Sequence, residues 1–570
     1  MTGRGSQARG GGKLVLLLLA VLAGGCASAR PLAVSAPPPI AVCAAPDEKT
    51  TAGEFCGTVE TVDAANSASG KVYRYLGIHY GESTAGEHRW MSPVPYAPRP
   101  GTFAATEFGP LCPQPNRGET NPQSEDCLTI NVWRPAPAET AEAPLPVMFF
   151  IYGGSFLVGG SSAGVYDGAR LAAEGHIVIV SFNYRVGALG FLSGLDGLTG
   201  NYGFLDQQLA LLWVRRNIGA FGGDPDRVTI WGESAGAMSV GLHLVAPQSQ
   251  GLFRAAIMES NPYGIPYKNQ REAADFAKDL RDLMGCEIGG IECMRRAPVE
   301  TILAHQTSDL IIVGGLLEGL RGELVWAPVI DGVVIPDQPS KVATRIPMLI
   351  GTNRDEGALF VGGFRIKIPF EVREIPRVEY EAALDLVFAD GVAHRIEAQP
   401  RYAPVDGDNT NQFAHVLGDY LFTCANRHVM NDARGPVYAY RYDHLASYDE
   451  WPGVPLCAPD QHRVCHSFEL PFVFGNPVDV RLETAPPAAA AHFSARDQIV
   501  ADQMMRYWTN FAATLDPDDA EAPKWPEFNR AHPAMMVFED EAHAGNRNPD
   551  CGFWDSIGYD SRGMFARSAK

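Results

Sequence analysis

RVTIWGESAGAMSVGLH, the stretch from Arg227 to His243, decides how the rest of the chain reads. Val228 to Trp231 predict a short buried strand, Gly232-Glu233-Ser234-Ala235-Gly236 a sharp turn, and the small and apolar residues from Ala237 onward a helix. A G-x-S-x-G in that setting is the pattern of a nucleophile elbow. Lifting Ser234 onto a strained strand-to-helix turn leaves no room for side chains two positions before and two after, and glycine fills both. The hydroxyl then stands at a helix N-terminus, where unpaired N–H groups favour developing negative charge. Gly160-Ser161-Ser162-Ala163-Gly164 has the same spacing, but a glycine turn, Gly159-Gly160, leads into it in place of an apolar strand, so it is set aside.

The composition is that of a globular protein: 570 residues, 46% hydrophobic and 20% charged. Lys plus Arg number 46 and Asp plus Glu 66, a net charge of −20, which excludes nucleic acid and anionic membrane surfaces as partners. Arg4, Arg9 and Lys13 followed by the apolar run Leu14 to Leu22 predict an export signal over 1–26, the run being far too short to span a bilayer. Ala23-Gly24-Gly25-Cys26 resembles a bacterial lipoprotein box, although leucine is commoner where Ala23 stands. A lipid on Cys26 is the one membrane link expected, and plain cleavage nearby is the other reading. Residues 27–57, rich in proline and alanine, read as a tether, and 58–570 as one domain. The expected location is periplasmic, outer-membrane-anchored or extracellular in a bacterium.

Eleven cysteines in an exported chain point to disulfides. Setting Cys26 aside leaves an even number. Short-range candidates are Cys43 with Cys56, Cys112 with Cys127, Cys286 with Cys293 and Cys457 with Cys465, which leaves Cys424 and Cys551 for a long-range closure. None has C-x-x-C zinc spacing, so no structural metal is expected, and no cofactor either.

Along the chain, continuous apolar runs without alternation predict buried strands in a parallel sheet: Pro146 to Ile151, His176 to Phe182, Val228 to Trp231, Ala255 to Met258 and Pro347 to Ile350. Helical spacing separates them at Ala169–Glu174 and Asp206–Phe221, as right-handed crossovers require. The insertion from about Lys268 to Gln338 reads as mostly helical, and Ser494 with Asp497 caps a long C-terminal helix. Tyr152-Gly153-Gly154-Ser155-Phe156, directly after the densest strand, exposes consecutive N–H groups of the kind an oxyanion hole uses.

A serine hydroxyl needs a base and an orienter for that base. Catalytic groups in an open parallel sheet collect at the carboxyl ends of its strands. That rule selects Asp355 or Glu356 past Ile350, and His466 on a loop after the strand Val437–Tyr442, with His462 and His444 in reserve. The order serine, carboxylate, histidine is that of the α/β-hydrolase fold.

These motifs resemble the type-B carboxylesterases, the family of cholinesterases and bacterial para-nitrobenzyl esterases, from about Thr58 to the C-terminal helix. The likeness is carried by Ser124-Glu125-Asp126-Cys127-Leu128, Tyr152 to Phe156, Asn183-Tyr184-Arg185, Gly187 to Leu192, Asp206-Gln207, Phe221 to Pro225, the elbow, Asp355-Glu356-Gly357, and His466 with Phe472 to Gly475. The resemblance implies an α/β-hydrolase fold with helical insertions over the active site. It also implies a Ser234, Glu356, His466 triad, oxyanion donors from the backbone of Gly154, Ser155 and Ala235, and an auxiliary Ser260, with Gly153 and Glu233 as supporting neighbours. It pairs Cys112 with Cys127, Cys286 with Cys293 and Cys424 with a C-terminal cysteine, for which Cys551 is the candidate; Cys457 with Cys465 lies outside the common pattern.

Two departures stand out. The family usually has glycine or alanine where Ser155 stands. Cholinesterases hold a quaternary ammonium on a tryptophan between the first paired cysteines, and here no aromatic residue lies between Cys112 and Cys127, which rejects a choline ester as the dedicated substrate. The expected activity is hydrolysis of small-molecule carboxylic esters through an acyl-enzyme. The rivals are a non-catalytic adhesion or scaffold member of the same fold, opposed by the presence of all three triad residues, and the same triad acting on thioesters, amides or as an acyltransferase.

Overall fold

Strands built almost wholly of apolar residues have no solvent face to offer, so they are driven to the middle of a sheet covered on both sides. The computed structural model describes residue 44 and residues 47–62, 70–115, 122–136, 143–307, 324–367, 374–388, 391–478, 491–520, 522–547 and 549–559. The expected leader, Cys26 and Cys43 lie outside them. In chain order the strands are β1 Asp47–Thr50, β2 Gly53–Cys56, β3 Thr58–Thr61, β4 Lys71–His79, β5 Thr102–Ala104, β6 Thr129–Pro135 and β7 Leu145–Ile151. They continue as β8 Val178–Phe182, β9 Gly223–Glu233, β10 Ala255–Glu259, β11 Met348–Asn353, β12 Val437–Tyr442, β13 Met535–Phe538 and β14 Ala542–Gly545.

The main sheet has eleven strands in the order β14-β13-β12-β11-β10-β9-β7-β8-β6-β4-β3. From β8 through β7, β9, β10, β11 and β12 to β13 every pairing is parallel. Antiparallel pairs finish both margins, β6, β4 and β3 on one side and β14 on the other. Because the seven central strands point the same way, their carboxyl ends and following loops gather along one edge, where an open sheet of this kind places its site. The pairing of β7 with β9 sits near the middle, with Phe149 opposite Ile230 and Phe150 opposite Trp231. Above it, the rings of Phe150, Trp231 and Phe474 meet at centroid distances of 4.6 to 5.0 Å, joining the sheet to the short helix Leu470–Phe474 that follows His466.

The expected strands and crossovers are present with shifted ends. β9 begins at Gly223, well before Val228, because Gly223 already pairs with Leu145. The helix expected from Asp206 begins at Tyr202, where Asn201 in a left-handed conformation (φ 61°) redirects the chain. β8 starts at Val178, since His176 (φ 48°) is the left-handed cap of helix Ala169–Gly175. One boundary is corrected. The tether expected over 27–57 ends earlier, since Asp47–Cys56 is a β-hairpin whose Ala52 and Phe55 are buried, with Phe55 against the ring of Phe103. Its four-residue strands are too short to stand out against a proline- and alanine-rich background.

The insertion holds helices Gln270–Leu283, Gly290–Arg296 and Val299–Gln306, the first closed by a capping box between Asn269 and Glu272. Helix Ala495–Thr514 carries the expected box between Ser494 and Asp497. Among the described residues, disulfides join Cys112 to Cys127, Cys286 to Cys293, Cys424 to Cys551 and Cys457 to Cys465. Cys56 is also disulfide-bonded.

The Cys424–Cys551 bridge spans 127 residues and ties the C-terminal segment to the body. Replacing both cysteines by serine is expected to lower stability by about 2–4 kcal/mol, most of it through a less restricted unfolded chain. The thermal midpoint of the double variant against the parent, under non-reducing conditions, checks this.

Candidate active site

The elbow is built by close approach of backbone to backbone. A Cβ on Gly236 would lie 1.9 Å from the carbonyl oxygen of Ile151, and one on Gly232 would lie 2.5 Å from the backbone of Gly236. Ser234 between them adopts φ 55°, ψ −122°, a conformation costly for a residue with a side chain. Two hydrogen bonds hold it: its N–H donates to Glu259 O at 3.0 Å, and its carbonyl accepts from Met238 N at 2.8 Å. The N–H of Ala235, first residue of helix Ala235–Val245, has no carbonyl ahead of it in the helix. The rival G-x-S-x-G has a different fate, since its central Ser162 is a half-buried turn residue with no strand leading into it.

The turn after β7 runs alongside. Gly153 sits so near the elbow that a Cβ there would be 3.1 Å from that of Ser234 and 2.8 Å from a carboxylate oxygen of Glu233. Gly154 (φ 108°) and Ser155 (φ 56°) both take positive φ, and among the described residues their N–H groups donate to nothing. The turn is clamped from behind by a reciprocal pair. Tyr184 Oη donates to Tyr152 O at 2.9 Å, Tyr152 Oη donates to Tyr184 O at 3.1 Å, and the rings stack at 4.5 Å. Arg185, next in that motif, makes a buried two-pronged ion pair with Asp206. These residues of the family motifs therefore hold the turn and the adjoining helix.

Glu356 opens the helix that follows β11, and His466 lies on the loop after β12. His466 Nδ1 donates to Glu356 Oε2 at 2.6 Å, while Glu356 Oε1 accepts from Ser260 Oγ at 2.6 Å and Asn353 N at 2.7 Å. The neighbouring acid does something else: Asp355 accepts from Val464 N and Arg354 Nε. The reserve histidines are elsewhere engaged or exposed, His444 bonding Asp497 at 2.8 Å and His462 lying at the surface. His466 Nε2 is buried, 3.2 Å from Glu233 Oε1, without a hydrogen-bond partner among the described residues. The imidazole's second nitrogen thus lies against the side chain of the residue that precedes Ser234. The rings of Phe360 and Phe422 wall the imidazole at 5.2 and 5.1 Å.

The loop is fastened on both sides of His466. Cys465 is bonded to Cys457, Asn353 Nδ2 donates to Cys465 O, and Trp451 Nε1 donates to His466 O. Sequence reasoning missed Glu469, Glu259, Ser467 and Asn353. Glu469 accepts from Asn353 Nδ2 and stands 3.4 Å from Ser260 Oγ, and Glu259 accepts from Trp508 Nε1. A glutamate three residues after the histidine was a visible signal for the first; nothing local in the sequence links Glu259 to Trp508.

Three buried glutamates, Glu233, Glu356 and Glu469, thus face one imidazole, and a fourth, Glu259, interacts with Glu469 and Glu233 behind them. Desolvation by itself would lower the His466 pKa, but Glu233, then Glu356 and Glu469, outweigh it and hold the group up at about 9. Burial pushes Glu469 up to about 8 and Glu259 well above the usual carboxylate range, each helped by the other carboxylates. Burial also raises Glu233, opposed by His466 and by a hydrogen bond from Ser467.

The chain matches the model of the carboxylesterase family over residues 45–554. It is 33% identical over 492 residues to the para-nitrobenzyl esterase of Bacillus subtilis (strain 168), covering 82% of this chain and 92% of that protein. It is likewise 33% identical over 531 residues to the cholinesterase of Mus musculus, covering 85% and 83%. Among solved structures a PNB esterase superposes with a TM-score of 0.72 at 30% identity, covering 90% of this chain and 99% of that one.

A base accepts a proton only when neutral, so a reaction using His466 gains rate as pH rises through its pKa. Labelling of Ser234 by a fluorophosphonate is therefore expected to show an acid limb above pH 6.5, the ordinary imidazole value. Glu233→Gln removes the strongest raising charge and should move the limb down by about one pH unit. Labelling rates across a pH series check both statements.

Proposed function

The chain belongs to the carboxylesterase family, and from that premise we propose that it is an exported serine esterase working through an acyl-enzyme on Ser234. It is a carboxylic ester hydrolase of the α/β-hydrolase fold acting on small-molecule esters. The observation that carries the mechanism is the polarity of His466. One nitrogen is committed to Glu356 at 2.6 Å, and the other is buried and unpartnered among the described residues beside the elbow that carries Ser234.

In the proposed cycle the Ser234 Oγ attacks the ester carbonyl while His466 Nε2 takes its proton. The carbonyl electrons move to oxygen, and the oxyanion accepts hydrogen bonds from the N–H groups of Gly154, Ser155 and Ala235. Collapse breaks the bond to the alcohol oxygen, which leaves with the proton from Nε2. Water then attacks the acyl-enzyme, giving its proton to the same nitrogen, and the acid is released as that proton returns to Ser234. Glu356 fixes the tautomer throughout and offsets the imidazolium charge, with Ser260 and Asn353 holding it in place.

Export is supported by the basic and apolar segment before Cys26 and by disulfides that favour an oxidising compartment. Lipid attachment at Cys26 is the proposed anchor. The absence of an aromatic residue between Cys112 and Cys127 supports an uncharged ester over a choline ester, although cholinesterases are among the relatives.

Ser234→Ala is expected to lower kcat for a nitrophenyl ester by about four orders of magnitude or more and to abolish fluorophosphonate labelling. Glu356→Gln should lower kcat strongly with a smaller change in KM. Steady-state kinetics on nitrophenyl esters of rising acyl length measure this and rank the acyl preference. Parent enzyme without ester turnover or label would mark a binding protein on this scaffold.

A further inference from the structure

Ser467, directly after His466, stands out in the site on two independent counts. Its backbone takes φ 71°, left-handed, where a side chain is strained and glycine is the unstrained choice. Its hydroxyl is nearly buried, 8% exposed, and donates to Glu233 Oε1 at 2.6 Å. That is the same oxygen that lies 3.2 Å from His466 Nε2. The other Glu233 oxygen abuts Gly153, so the carboxylate is held from both sides between the oxyanion turn and the histidine loop.

This arrangement sets up a competition. An imidazolium Nε2–H beside a buried carboxylate will bond to it wherever the angle allows, because a charge-assisted bond in a dry site is strong. A proton held that way is lost to the leaving alcohol, and a nitrogen held that way is lost to Ser234. Here the contact is close enough for an ion pair but makes no hydrogen bond, and Ser467 already occupies the oxygen.

We propose that Ser467 is a positioning residue: by donating to Glu233 Oε1 it keeps His466 Nε2 open to the hydroxyl of Ser234. It acts through Glu233, which makes the strained backbone at 467 part of the site's design. The other groups facing the imidazole are Glu356 from the helix after β11 and Glu469 from its own loop. Glu259 at the end of β10 and Tyr166 lie behind Glu469 and Glu233. None of these donates to Glu233 in the structure, so removal of Ser467 leaves that carboxylate to the imidazole.

The inference rests on the Ser234 mechanism, and the test separates the two. Fluorophosphonate labelling rates are measured from pH 5 to pH 10 for the parent, Ser467→Ala, Ser467→Gly, Glu233→Gln and the double variant Ser467→Ala with Glu233→Gln. Freed from its donor, Glu233 pairs more strongly with the imidazolium. Both single variants at 467 should therefore show the acid limb moved up by about one pH unit and label about tenfold more slowly at pH 7. In the Glu233→Gln background, removing Ser467 should change the rate less than about twofold, since its effect passes through that carboxylate. Ser467→Gly also relieves the left-handed strain, which keeps a well-folded variant in the set. The proposal is overturned if the limb does not move, if the loss persists without Glu233, or if glycine labels as fast as the parent, which would leave Ser467 a turn residue. A parent that fails to label sinks the Ser234 mechanism instead.

Discussion

The reversal of the chain at Ser234 depends on three stretches of backbone meeting with no side chain between them: Gly232, Gly236 and the carbonyl of Ile151. A conformation like that of Ser234 costs about 1–3 kcal/mol. Two backbone hydrogen bonds hold it, and β7 and β9 on either side, buried along their central residues, fix the elbow in place. Phe149, Phe150, Ile230 and Trp231 are fully buried, each worth about 1.5–3 kcal/mol or more on removal from water. The sheet's stability is thus the source of the site's precision. The same logic explains why the neighbouring elements of the site start at strand ends, Gly153 after β7, Ser260 after β10 and Glu356 after β11.

On that frame sits an imbalance of charge, three carboxyl groups facing one imidazole and a fourth, Glu259, behind them. The excess has a use and a hazard. In the proposed cycle it stabilises the imidazolium that forms as Ser234 attacks, and it also threatens to hold the histidine protonated. The structure tempers it in two ways. Burial pushes Glu259 and Glu469 toward their neutral forms, removing charge. Donors occupy the oxygens of the others, Ser260 and Asn353 on Glu356 and Ser467 on Glu233. The His466 pKa held at about 9 is the balance of these effects, with desolvation the largest opposing influence.

Much of this was legible in the sequence wherever the signal is local. Continuous apolar runs marked β7, β9, β10 and β11, and the capping box at Ser494 and the glycines of the elbow are encoded within a few residues. The choice of Glu356 over Asp355 was not local; both acids follow the same strand, and the resemblance, not spacing, separated them. In the structure the reason is plain, since Asp355 is turned to the backbone of Val464 and Glu356 to the imidazole. The β1–β2 hairpin escaped notice because four-residue strands carry too little pattern. Ser467 carries no local signal, because its positive φ and its bond to a residue 234 positions away exist only once the chain is folded.

His466 is the one proposed triad member that does not stand at the end of a strand or the start of a helix, so its loop needs other restraint. The restraint is local and dense: the Cys457–Cys465 bridge, the Asn353 bond to Cys465 O, the paired bonds between Asp355 and Val464, and the Trp451 bond to His466 O. The bridge spans 8 residues, against 127 for Cys424–Cys551. On chain-entropy grounds the shorter loop contributes about 2.5 kcal/mol less to global stability, since the effect grows with the logarithm of loop length. The two disulfides therefore do different work. The long one resists unfolding of the whole, whereas the short one, one residue from the imidazole, limits how far a flexible loop lets that ring stray from the elbow. A displacement of about 1 Å in such a group is enough to cost a hundredfold in rate.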